Sequence, residues 1–189
     1  MRNAMILLGL WVGIILAAFA LVYVNVDGPN PGELELLARR VERTYVEPDG
    51  RYQFEAPAGW RVEPTPDGVR LVGPVEQIEA WITVVDDIGV ARAIEIGCEI
   101  ASPCPGKEFV SFEEQAPPAF AQRKVRISYE TEDEDAGLYG VGFVLLRETI
   151  VLIVRGDRTA IELRAAELAR IEGTLTAPAL EAAAVEAEP

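Results

Sequence analysis

Between Met5 and Val24 the chain runs for twenty residues without a charged side chain, and nearly all of them are apolar. At about 1.5 Å of rise per residue, a helix of that length crosses a hydrocarbon core of about 30 Å. This fixes where the rest of the chain has to live. The competing expectation is a secretory signal cut after Ala20, because Ala18-Phe19-Ala20 has the small-x-small spacing that a signal peptidase reads. Apolar sequence continues past that point through Leu21, Val22, Tyr23 and Val24, longer than the 7–15 residues or so of a signal core, and this favours an uncleaved anchor. With Arg2 and the amino terminus on the near side, the short tail is expected to stay in the cytoplasm. The chain is then a single-pass protein of the cell membrane with its bulk extracytoplasmic. Cleavage at Ala20 would instead secrete the same bulk.

Charge narrows the partners. A formal net charge of −14 with no histidine opposes nucleic acid, whose phosphates demand cationic side chains, and also opposes a polybasic clamp on anionic lipid. Without histidine there is no Ser-His or Cys-His pair, and the two cysteines are too few for a zinc site. Cys98 and Cys104 are the only cysteines and enclose Glu-Ile-Ala-Ser-Pro. In an oxidising compartment an even pair at this spacing most simply forms a disulfide, worth about 2 kcal/mol for so small a loop, with an inert reduced pair as the alternative.

Along the chain, Asp27 to Gly32 is rich in helix breakers and follows an anchor of residues 1–26. Residues 27–48 then read as a linker and a juxtamembrane amphipathic helix over Glu33–Arg43. Asn30 caps it, Pro31 takes its first position, and Leu34, Leu37 and Val41 form its apolar stripe. That stripe suits packing on the chain's own domain or docking on a neighbour.

From residue 49 to 176 the period changes and an α+β domain is expected. Tyr52-Gln53-Phe54 leads through Pro57-Ala58-Gly59 to Trp60, and the turn Thr65-Pro66-Asp67-Gly68 joins two strands of a hairpin. Ile78–Val85 places Ile78, Ala80, Ile82 and Val84 on one face and Trp81, Thr83 and Val85 on the other, as expected of a central strand covered on both sides. Residues 88–100 fit a helix better than a strand, and Phe109–Pro118 reads as an irregular crossing. Gln122–Glu130, Leu138–Leu146 and Ile150–Val154 form an antiparallel meander. A closing helix starts at a capping box near Thr159, buries Ile161, Ala165 and Leu168, and ends at Gly173. Residues 177–189, mostly Ala and Glu, read as a tail without fixed structure.

In this order the chain from 50 to 175 resembles the PsbP-like α/β domain. Tyr52-x-Phe54, Pro57-x-Gly59-Trp60, a hairpin, a long apolar strand, a meander and a closing helix carry the likeness. The resemblance implies an antiparallel sheet sandwiched by helices, and an extracytoplasmic, noncatalytic domain that assists a membrane complex. It brings no ligand residues with it.

Three further groups are candidates for a site. Glu132, Asp133, Glu134 and Asp135 supply oxygens for a hard cation, but lack an alternating Asp-x-Asp-x-Asp-Gly loop and fit a solvated turn. Trp60 and Trp81 are either core residues or a recognition surface. Asp86 and Asp87 close a strand, where carboxylates serve as turn or cap groups more readily than as an acid and base. The expectation is therefore a noncatalytic accessory subunit that needs no cofactor and has a protein partner. The alternative is an exported domain that takes a small ligand or lipid between sheet and helix, with Trp60, Trp81 or Phe143 in the lining.

Overall fold

The computed structural model describes residues 43–75, 77–86, 88–101 and 106–178. Its elements are β1 (Arg43–Val46), β2 (Gln53–Ala56), β3 (Arg61–Thr65), β4 (Gly68–Val72), β5 (Ile78–Asp86), α1 (Val90–Ile100), β6 (Gly106–Gln115), β7 (Arg123–Thr131), β8 (Ala136–Val144), β9 (Glu148–Asp157), α2 (Arg158–Leu163) and α3 (Ala165–Thr174). Seven strands make one sheet in the order β3-β4-β5-β9-β8-β7-β6, every neighbouring pair antiparallel. β1 and β2 form a separate ribbon.

Alternation along the strands sorts side chains to two faces. On one face Ile78, Ala80 and Ile82 of β5, Ile150, Leu152 and Val154 of β9, and Val141 and Phe143 of β8 pack with Tyr52 and Phe54 of the ribbon and with Leu168 and Ile171 of α3. On the other, Val151 and Ile153 of β9 and Val125 and Ile127 of β7 pack with Ala93, Ile94 and Cys98 of α1. The sheet is thus filled on both sides, and β5 lies inside it between β4 and β9 as expected. α1 comes close to the strands because glycines stand on both sides of the contact, Gly97 on the helix and Gly140 on β8. A Cβ at Gly97 would stand 2.6 Å from Val151 Cγ1, and one at Gly140 would collide with Ile94 Cγ2.

Four expectations need correction. Residues 43–46 belong to a strand and not to a helix or linker: Tyr45 pairs with Phe54 in register, and their rings lie 5.2 Å apart. Phe109–Pro118 is no irregular crossing, since β6 runs to Gln115 along β7. The closing helix is two helices that meet at Arg164. Its cap is Asp157, whose Oδ1 accepts from the Ala160 N–H at 2.8 Å, and Ala165 is exposed while Ile171 takes the buried position. The tail begins later than residue 177, because Ala177 is fully buried in the core behind a bridge between Gln53 and Thr176.

The apolar run of residues 5–24, the stripe of Leu34, Leu37 and Val41, and the tail beyond residue 178 lie outside the described residues. Among the described residues no helix is long and apolar enough to cross a membrane.

Candidate functional site

Among the described residues, two carboxylates are buried, Glu47 and Glu172, and a third, Glu79, is partly buried; each is held by cations. Glu47, at the end of β1, is 4 % exposed; it accepts from the Arg51 guanidinium at 2.7 Å and from the backbone N–H of Asp49 at 2.9 Å. Burial pushes its carboxyl up, but the hydrogen bonds from Arg51 and Asp49 and the guanidinium charge outweigh this and hold it below the usual range.

Glu79 on β5 is gripped by Arg70 of β4 and by Arg155 of β9, the latter at 2.8 Å. Arg70 also reaches Glu63 of β3 at 3.1 Å, so the charges bridge four neighbouring strands. Burial raises the Glu79 carboxyl, and the two arginines lower it further than burial raises it. A carboxyl depressed on folding contributes stability that is complete above the unfolded range near pH 4.3 and is lost as the pH falls through the folded value. In urea titrations between pH 6 and pH 3, Glu79→Gln is therefore expected to be less stable at pH 6 and to lose less on acidification. Parallel curves for variant and wild type would contradict this role.

Glu172 on α3 is 7 % exposed and meets Lys124 at 2.9 Å and Arg126 at 2.7 Å, both from β7. The Arg126 guanidinium lies 4.3 Å from the Tyr139 ring centroid and the Lys124 ammonium 5.5 Å from that of Phe143. Burial and the nearby Glu172 charge push the Tyr139 phenol up. These cations thus bridge the sheet to α3 through charge and through ring faces.

The expected site residues scatter. Trp60 is 6 % exposed beside β3, and its Nε1 donates to Glu167 on α3 at 2.6 Å. It shares its layer with Phe143, which is fully buried. Trp81 lies in the opposite layer, half-buried, with the Arg70 guanidinium 5.5 Å from its ring centroid. The two tryptophans therefore do not line a common cavity. Asp86 ends β5 exposed, in register with Glu148, whereas Asp87 lies outside the described residues.

Glu132–Asp135 is the β7–β8 turn. Asp133 Oδ1 accepts from the Asp135 N–H at 3.0 Å, and the Thr131 hydroxyl donates to the Asp133 carbonyl at 2.7 Å. Among the described residues no three His, Cys, Asp or Glu side chains are grouped as a metal site. Cys98 is 2 % exposed on α1 and no described cysteine is free, while Cys104 lies outside the described residues.

One feature escaped the sequence reading. Phe109, Val110 and Phe112 of β6 are 58 %, 60 % and 46 % exposed, on a strand at the edge of the sheet. The sequence signal was present in Phe-Val-Ser-Phe, a run of strand formers between Lys107-Glu108 and Glu113-Glu114.

The architecture matches a solved one. The solution structure of cyanobacterial PsbP (CyanoP) from Synechocystis superposes with a TM-score of 0.54 at 10 % identity, covering 73 % of this chain and 93 % of that one. The fold is PsbP-like. A weaker likeness, with a TM-score of 0.42 at 13 % identity over 72 % of this chain and 90 % of the other, links it to LpqN, described as involved in cell envelope biogenesis of Mycobacterium tuberculosis. No protein-family model matches the sequence, and comparison with curated proteins finds no match. The PsbP-like sheet thus presents ion-paired interior carboxylates, packed tryptophans and one exposed apolar edge.

Proposed function

We propose that this chain is a membrane-anchored, extracytoplasmic and noncatalytic subunit that binds and stabilises a protein partner in a membrane complex. The state of three ion-paired carboxylates carries its noncatalytic part. Glu47, Glu79 and Glu172 are each taken up by arginine or lysine, so they brace the fold and their oxygens are occupied by cations. The apolar run Met5–Val24 supports the anchor, and the PsbP-like fold is compatible with an accessory role. No cofactor is part of this reading.

The proposal has two tests of location. Tagged full-length chain is expected to stay in the membrane after an alkaline carbonate wash, and its domain is expected to be cut by protease added from the extracytoplasmic side. Release by carbonate, or protection of the domain in sealed right-side-out vesicles, would contradict it. We also propose that Cys98 and Cys104 pair in that compartment. Alkylation of intact cells should leave both thiols unlabelled, and labelling should appear only after reduction. Free labelling of either cysteine before reduction would overturn the pairing. Gentle extraction should return the chain with a partner in fixed ratio.

A further inference from the structure

The two edges of the main sheet are built differently. β3, at one end, has five residues, contains Pro64, and has its charges tied down, with Arg61 2.6 Å from Glu63 and Glu63 bonded on to Arg70. A proline and fixed charges are the usual means of blocking further strand pairing. β6, at the other end, has ten residues, no proline, and three large apolar side chains in water. Its pairing with β7 shifts register at Gly106/Glu108 and at Phe109/Ser111, after which Ser111–Gln115 pairs regularly with residues 124–128. The irregularities end at Ser111, so the regularly paired half of the edge is the five residues Ser111–Gln115, with exposed Phe112 inside it and exposed Phe109 and Val110 just before it.

We infer that this edge of β6 docks an extended, basic segment of another protein, added as an eighth strand. An edge strand offers a row of outward backbone N–H and C=O groups, which a strand satisfies and a helix does not. Register puts Phe109 and Phe112 opposite Tyr129 and Ile127, on the α1 side of the sheet, while Glu113 stands opposite Arg126 on the other side. The incoming strand therefore carries apolar side chains toward the phenylalanines and Lys or Arg toward Glu113. A second copy fits badly. β6 has one lysine against three glutamates, and each chain brings a net charge of −14.

The inference rests on the proposed partner-binding role and names its surface. The test uses full-length chain in nonionic detergent and a fluorescent nine-residue peptide alternating valine with lysine. Saturable binding is expected in fluorescence anisotropy. It should fall about tenfold or more when every backbone amide of the peptide is N-methylated, when the lysines are replaced by glutamates, or when the protein carries Phe112→Glu. Phe112 is 46 % exposed at the edge of the sheet, so that variant should keep a cooperative unfolding transition, and Glu113→Lys serves as a second variant whose side chain is exposed. Glu113→Lys should weaken binding of the basic peptide several-fold without creating binding of the acidic one, because the chain keeps its strong negative charge. Absence of binding to wild type would overturn the inference, as would equal binding by Phe112→Glu or by the N-methylated peptide. A doubling of mass in light scattering that Phe112→Glu abolishes would also overturn it by giving the edge to a second copy. A partner that co-purifies equally with wild type and Phe112→Glu would sink the edge alone. Failure of any partner to co-purify would sink the proposed function, whatever the peptide does.

Discussion

Gly156→Ala is expected to destabilise the folded domain by about 4 kcal/mol, combining backbone strain with overpacking in the middle of the sheet. Gly156 has a φ of 153° on β9, where it pairs with Ile78 of β5 on one side and Gly137 of β8 on the other. A Cβ there would collide with the Gln77 carbonyl oxygen and stand 2.8 Å from Ile78 Cα. Both obstacles are backbone, so neither can rotate aside as a side chain would. The Gln77 carbonyl is also held in place, since it accepts at 2.9 Å from the N–H of Asp157, the next residue of β9 and the cap that starts α2. Urea unfolding followed by circular dichroism reads the change. A loss below about 1 kcal/mol would mean that β5 yields more easily than this packing allows.

Glu172→Ala should be the most damaging change among the ion pairs. It leaves Lys124 and Arg126 without their carboxylate, against the rings of Phe143 and Tyr139. Removing one partner of a buried pair costs more than the pair itself contributes, because the remaining charge stays desolvated. The expected loss is about 3 kcal/mol, at the lower end for such sites because a third of the Arg126 side chain remains in water. Replacing all three at once, Glu172→Leu with Lys124→Met and Arg126→Met, should recover most of that loss. If the single and the triple variants are equally unstable, the damage comes from lost helix packing and not from stranded charge.

The sheet was legible wherever burial follows a simple rule. β5, β7 and β9 are apolar on one or both faces, and those faces meet helices, so alternation in sequence became alternation in burial. β6 escaped because it is exposed on both faces along its described side chains and loses register twice, which leaves no alternation to detect. β1 escaped because its four residues are held by one neighbour, and only Tyr45 reaches the core. The charge clusters could not be read at all. Glu172 lies 46 residues from Arg126, and Glu79 lies 76 from Arg155, so only the folded register brings them together. Nothing in an isolated Glu or Arg distinguishes such a brace from a solvated surface charge.

The PsbP-like resemblance correctly indicated the layers, because it rested on turns and apolar strands. Trp60 and Trp81 show its limit. Both belong to strand contexts in sequence, yet one bonds to Glu167 beneath α3 and the other lies under Arg70 on the opposite face. The candidate site therefore moved from the aromatic residues to the edge strand.

The most direct measurement is the native mass of tagged full-length chain, extracted from its own membranes in a mild detergent. The expected result is a chain that retains residues 1–20 together with a second protein in fixed ratio. A lone chain beginning at Leu21 and released without detergent would contradict it, leaving a secreted PsbP-like domain with no membrane complex to serve.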